Sequence, residues 1–235
     1  MNRIRVVQRC LEQTDGRTYV EIGVDRGLCF AWIRAAVKIA VDPQLKITGW
    51  RRRLSERRAA ACHYVAVESD EFFARHAAVL CPSGIDVAFI DGLHTWEQAL
   101  RDAENALAHL KDGGLIVMHD CNPKNPIIAD PAVSFEDFRK AHPRHDEWSG
   151  DVWKAIVLLR ASRRDLDVAV LDCDYGIALV RRGEPETALD IPMDVVPSLG
   201  YEDLKRDRAH LLNLRPPRYL REFLRRRAAS IAPVS

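Results

Sequence analysis

The feature that most constrains this chain is a repeated alternation of short β-branched runs with stretches of helical spacing. Five such runs are legible: Arg17–Gly23, Lys38–Asp42 stopped by Pro43, His63–Val67, Ile85–Asp91 and Gly114–Asp120. Each is short, apolar and bounded by turn residues, as buried strands are. Between them Leu28–Val37, Arg51–Ala61, Asp70–Leu80 and Thr95–Leu110 carry helical periodicity, and an amphipathic segment with Ile4, Val7, Cys10 and Leu11 precedes the first strand. Strands joined by helical crossovers pair in parallel and need helices on both faces. Further on, Val152–Ala161 has helical spacing, and Leu166–Leu171 and Ile177–Arg181 flank a Cys-Asp-Tyr-Gly turn, a terminal antiparallel hairpin. The fold class expected is therefore α/β: a doubly wound, Rossmann-like, seven-stranded and mostly parallel sheet ending in a hairpin.

At 235 residues with 47% hydrophobic positions, the chain is long enough to bury one sizeable core. A cofactor-binding domain is expected over 1–183. Its 121–150 stretch, rich in Pro, Asn, Asp and His, is long and irregular enough to serve as a lid. Residues 184–235 read as a C-terminal loop and basic helical extension of the same domain, with the last helix over Arg218–Ala229. A net charge of +1 offers no global field for nucleic acid or an anionic membrane, and the arginine runs Arg51–Arg53, Arg57–Arg58 and Arg225–Arg227 read as solvated helix faces. No apolar run reaches the length of a membrane span and no signal-peptide pattern opens the chain, so the expected address is cytoplasmic and the expected partner a small molecule, with a homo-oligomer left open. The six cysteines are scattered, with no CxxC pair, and read as small buried residues.

Polar residues fall where such sheets bind ligands. Glu21, Asp42, Glu68, Asp91 and the pair His119–Asp120 all stand at or just beyond the carboxyl end of a strand. In Glu21-Ile-Gly23-Val-Asp-Arg-Gly27, glycines permit close backbone approach and a following helix N-terminus would offer N–H donors. A dinucleotide fingerprint needs Gly at positions 23, 25 and 28, but Asp25 and Leu28 occupy the last two, which speaks against an NAD-dependent oxidoreductase. The E-x-G-x-x-x-G form resembles motif I of class I S-adenosylmethionine-dependent methyltransferases. That resemblance implies Glu21, Gly23 and Gly27 around the amino-acid part of the cofactor. Asp42, closing the second strand, suits two ribose hydroxyls, and Ser69–Asp70 the adenine edge.

Two further segments, Asp91-Gly-Leu-His94 and His119-Asp120, resemble the small-molecule O-methyltransferases of the Methyltransf_24 type, relatives of metal-dependent sugar O-methyltransferases of antibiotic biosynthesis. The resemblance covers roughly residues 17 to 183. It implies Asp91, which also borders the cofactor, and Asp120 as ligands of a divalent cation, and His94 as general base. His119 stands where some relatives have a carboxylate, so it either joins the metal ligands or lies outside them. Carboxylates suit Mg²⁺, while an imidazole tilts the set toward Mn²⁺, Zn²⁺ or Fe²⁺. Histidine titrates near working pH, as removal of a hydroxyl proton requires. The expected activity is O-methylation of a small polyhydroxylated acceptor, a sugar or natural product. The alternatives are a metal-dependent tailoring enzyme of a hydroxylase-like branch and a non-catalytic cofactor binder. Trp96 and Trp153 read as packing residues, His142 and His145 as solvated, and Asp172 and Asp174 as turn formers.

Overall fold

The computed structural model describes residues 1–14 and 16–226. The chain forms two compact units, Met1–Leu93 with Arg101–His119, and His94–Leu100 with Asp120–Ser235. The fold class is the expected one, an α/β architecture on a mostly parallel sheet with an antiparallel hairpin.

The first unit holds α1 (Arg3–Gln13) and five parallel strands: β1 (Thr18–Ile22), β2 (Val37–Val41), β3 (Ala61–Val65), β4 (Ile85–Ile90) and β5 (Leu110–Met118). Their spatial order is β3-β2-β1-β4-β5. Strand β1, in the middle, is buried at every position, as a strand covered on both faces must be. The helix α1 opens on Asn2, whose side chain accepts from the Arg5 N–H, and buries Val6, Val7, Cys10 and Leu11. Helix α2 (Gly49–Arg57) connects β2 to β3. The crossover to β4 is one helical run, α3 (Ser69–Glu71) and α4 (Ala77–Leu80) flanking a π-helical turn at Phe72–His76.

Two expectations for this unit change. No helix follows β1: residues 25–32 form turns, so the proposed helix N-terminus behind the glycines does not exist. The reason is local, since Asp25 and Gly27 both take left-handed φ values, +42° and +72°, which break a right-handed helix. The Lys111–Gly114 turn is also drawn into β5, with a register shift against β4 at Ile85–Val87.

Helix α5 (Trp96–His109) leads into β5. The second unit continues with α6 (Phe135–Ala141), α7 (Trp153–Ser162), the antiparallel pair β6 (Leu166–Leu171) and β7 (Ile177–Arg182), α8 (Tyr201–Leu211), β8 (Leu214–Arg215) and α9 (Leu220–Arg225). Strand β8 runs parallel to β6 and is an eighth strand where seven were expected. Two residues without alternating polarity leave no periodic signal. The basic helix stops at Arg225 among the described residues; 227–229 of the expected span lie outside them. Arg226 is no solvated arginine: it pairs with Asp167 at 3.4 Å and Glu186 at 3.3 Å. Arg181, buried, pairs with Asp167 at 2.7 Å and donates to the Phe223 carbonyl, tying the C-terminal segment to the hairpin. The cysteines are unpaired by disulfides, and Cys10, Cys29, Cys81 and Cys121 are buried. No helix among the described residues is long and apolar enough to cross a membrane.

Residues of β1 and β2 form a buried polar cluster. Glu21 is buried, accepting from the Tyr19 hydroxyl and, at 3.3 Å, from the Phe30 N–H, while buried Lys38 donates to the Phe30 carbonyl. Burial pushes the Glu21 carboxyl up from 4.5 to about 8, against the opposing pull of Tyr19. Burial likewise pushes Lys38 down from 10.5 to about 8. A carboxyl with a raised folded-state pKa contributes stability that is full below about 4.5 and lost as pH rises toward about 8. An ammonium with a depressed value restores stability as pH rises from about 8 toward 10.5. Thermal denaturation across this range should show a local stability minimum near pH 8, and Glu21→Gln should flatten its acid side.

Candidate active site

On the first unit the site is framed by glycine. Gly23 leaves β1 at φ +83°, and a Cβ there would lie 2.0 Å from the Asp91 carbonyl oxygen. Gly27, at φ +72°, would meet Ile47 Cδ1 at 2.3 Å. At Gly23 the obstacle is backbone, which cannot give way; at Gly27 it is the left-handed φ together with the Ile47 side chain. Asp42, half-buried past β2, accepts the Asp25 N–H at 2.8 Å on one oxygen and the Gln44 N–H at 2.7 Å on the other. It thereby holds the loop, and each oxygen retains a second lone pair for a ligand hydroxyl. Of the remaining expected cofactor residues, Glu21 faces the interior cluster described above. Ser69 is buried at the start of α3, and Asp70 accepts from Asn105 Nδ2 at 3.1 Å and pairs with Arg101 at 3.4 Å.

Asp91, just past β4, is held from two sides: Arg3 Nη1 donates to its Oδ2 at 2.7 Å, and His119 Nδ1 lies 3.3 Å from its Oδ1. His119 is buried, its N–H bonded to the Ile90 carbonyl and its ring edge-on to Phe89. Arg3 was not anticipated. Nothing in an arginine near the start of an amphipathic helix marks it as the partner of an aspartate 88 residues away.

On the second unit His94 and Asp120 meet, with His94 Nε2 3.4 Å from Asp120 Oδ2. Residues 148–151 hold this pair from one side. The Trp148 carbonyl lies 2.7 Å from His94 Nδ1, the Ser149 hydroxyl donates to Asp120 Oδ1 at 2.7 Å, and Asp151 Oδ1 accepts the Trp96 N–H at 2.9 Å. A carbonyl can only accept, so Nδ1 carries a proton, and whenever the ring is neutral Nε2 is its acceptor nitrogen. Asp120 itself sits in the left-handed region at φ +60°, a conformation aspartate tolerates better than most residues. The Trp148 ring stacks on Phe138 and tilts against His94 with centroids 5.0 Å apart. The 121–150 stretch is thus organised around an aromatic cluster. Within it His142 is not solvated: its Nε2 lies 2.8 Å from Asp130 Oδ2 and its ring packs on Phe138. Trp153 is a buried packing residue.

Comparison with known proteins finds likenesses to methyltransferases over part of the chain. Residues 20–121 match the model of the Methyltransf_24 family, a methyltransferase domain. One similar solved structure shares the fold, and two others are similar at lower scores. Cofactor-bound Rv0187 from MTB is 17% identical over 77% of this chain and 80% of that one, with a TM-score of 0.51. A putative O-methyltransferase from Klebsiella pneumoniae is 13% identical over 76% and 79%, TM-score 0.48. An O-methyltransferase from Bacillus cereus in complex with SAH is 11% identical over 76% and 80%, TM-score 0.49. No curated protein matches the chain.

Gly150 tests the geometry around His94. It takes φ +58°, and a Cβ there would lie 1.8 Å from the His94 carbonyl oxygen, whereas Gly49, at φ +57°, has nothing within 4 Å. Gly49→Ala should therefore cost only backbone strain, about 1–2 kcal/mol, and Gly150→Ala clearly more. Urea denaturation of the two variants measures the difference, which is the cost of fitting a Cβ against the His94 carbonyl.

Proposed function

We propose that the protein transfers the methyl group of S-adenosylmethionine to a hydroxyl oxygen of a small polyhydroxylated acceptor, with His94 as general base. The observation that carries this reading is the setting of His94, between the Trp148 carbonyl at Nδ1 and Asp120 at Nε2. Its Nδ1–H is committed to the Trp148 carbonyl, so Nε2 is the nitrogen able to take a proton, and Asp120 stands 3.4 Å away to stabilise the imidazolium that results. The acceptor's O–H bond breaks toward Nε2 as its oxygen attacks the methyl carbon; the carbon–sulfur bond breaks and S-adenosylhomocysteine leaves. Ser149 keeps Asp120 turned toward the imidazole. Gly23, Gly27, Asp42, Ser69 and Asp70 are the residues proposed to border the cofactor, and Asp42, with a lone pair left on each oxygen, is the one whose donor chemistry best fits a ribose diol.

A divalent cation, Mg²⁺ or Mn²⁺, belongs to the same reading. Asp91 and Asp120, with His119 as third donor, have the oxygen and nitrogen chemistry to hold one. Bound, it would orient and acidify a vicinal diol. The Arg3 guanidinium on Asp91 already supplies a positive charge there, so a cation would share or replace that pairing. The acceptor class and a cytoplasmic setting are carried forward as parts of this proposal.

Calorimetry with S-adenosylhomocysteine should detect binding that Asp42→Ala abolishes; absence of binding to the intact protein would sink the reading. His94→Ala should keep that affinity and lose turnover by a factor on the order of 10² or more. Near-normal turnover in the variant removes His94 from the base role. A product heavier than the acceptor by a methylene, as against an oxygen, separates methylation from hydroxylation.

A further inference from the structure

The first unit carries a basic and aromatic groove that methyl transfer does not use. It has a volume of about 480 Å³ and is lined by Arg5, Gln8 and Arg9 of α1, Trp32 and Arg34 of the turn segment after β1, and Arg58 after α2, with Glu12 its one carboxylate. Its frame is built rather than incidental. Gln8 accepts the Arg34 N–H at 2.9 Å and returns a bond to the Arg34 carbonyl at 3.4 Å, while Arg58 Nη1 donates to the Trp32 carbonyl at 2.9 Å. Among the described residues Arg5, Arg34 and Arg58 form no ion pair with a carboxylate, and Arg9 reaches Glu12 at 3.8 Å.

Beside these charges stand two indoles that a soluble surface would ordinarily cover. Trp32 is 44% and Trp50 56% exposed, and they meet edge to face with centroids 6.4 Å apart. Arg58 lies over Trp32 at 5.3 Å and Arg51 over Trp50 at 4.9 Å, so guanidinium and indole alternate. Planar guanidinium forks recognise phosphate oxygens by paired hydrogen bonds, and exposed indoles offer stacking area to a flat ring. The volume is that of a small-molecule site.

We propose that this groove binds a phosphorylated small molecule carrying a flat ring, of mononucleotide to dinucleoside-phosphate size. The phosphate lies among Arg5, Arg34 and Arg58, and the ring stacks at Trp32. None of the lining residues belongs to the methyl-transfer site proposed above, so the two readings stand or fall separately.

The test is titration with ADP and with UDP, followed by tryptophan fluorescence, in the presence of saturating S-adenosylhomocysteine so that a cofactor pocket is occupied. Saturable quenching is expected, weakened by salt. It should weaken at least about tenfold in Arg5→Glu/Arg34→Glu, both exposed residues, while S-adenosylhomocysteine affinity is unchanged. Trp32→Leu should weaken both nucleotides but leave inorganic phosphate, read by calorimetry, as in the intact protein. Circular dichroism of each variant must match the parent; if Arg5→Glu/Arg34→Glu misfolds, Arg58→Gln supplies the same comparison. No saturation at millimolar nucleotide, equal binding by the charge-reversed variant, or displacement by S-adenosylhomocysteine overturns the proposal. So does tighter binding of a single-stranded oligonucleotide than of either nucleotide, which would make the surface a nucleic-acid site.

Discussion

The first unit's functional edge depends on one close approach. At Gly23 the chain leaves β1 in a left-handed turn and passes so near the Asp91–Gly92 turn that no side chain fits between them. The same residue donates its N–H to the Val41 carbonyl, joining the ends of β1 and β2. Three strand ends are thereby fixed against one another, and the acids that follow β2 and β4, Asp42 and Asp91, inherit their positions from that contact. A side chain at 23 would separate the strand ends before it touched any ligand. This makes the glycine a structural requirement whether or not a ligand is bound.

The second unit solves a different problem, holding a histidine and an aspartate in one orientation on irregular backbone. It does so with residues 148–151, where a carbonyl, a hydroxyl, a glycine and a carboxylate act on His94, Asp120, the 94 carbonyl and the start of α5. The aromatic stack of Trp148 on Phe138 anchors that segment, so packing gives the irregular 121–150 stretch a fixed course. Irregular chain is tolerable here because its polar groups are satisfied by specific partners rather than by a ladder.

The parallel strands were legible because burial on both faces leaves a run of β-branched residues that nothing else in a soluble chain requires. The acids at their ends were legible for the complementary reason, that charge interrupts such a run where the sheet stops. What escaped lay beyond local periodicity. The stretch from Leu28 has helical spacing, yet left-handed residues at 25 and 27 and the bond from the Phe30 N–H to Glu21 hold it in turns. Arg3, Trp148 and Ser149 act through long-range contacts, and a backbone carbonyl such as that of Trp148 has no residue-type signature at all. Glu21 is expected at the cofactor from its place in the motif, and the bonds of its carboxyl to Tyr19 and Phe30 are a further role that the motif does not reveal.

Charge shows a separation between totals and arrangement. A net charge of +1 arises from 35 basic and 34 acidic residues, but the two signs are put to different uses. At the functional edge, carboxylates are bonded one by one: Asp42 to two amides, Asp91 to Arg3 and His119, Asp120 to Ser149 and His94. Arginines follow two patterns. Arg181 and Arg226 are consumed in holding the C-terminal segment to the hairpin, whereas Arg5, Arg34 and Arg58 gather around exposed indoles with a single glutamate among them. Like charges brought together cost energy unless solvent or a counter-charge screens them. Evenly spread arginines would have avoided that cost, so their convergence on Trp32 is the arrangement that calls for an anionic ligand. Near-neutrality of the whole chain therefore says nothing against a strongly local anion site, because recognition at this range is set by the charges within a Debye length of the ligand.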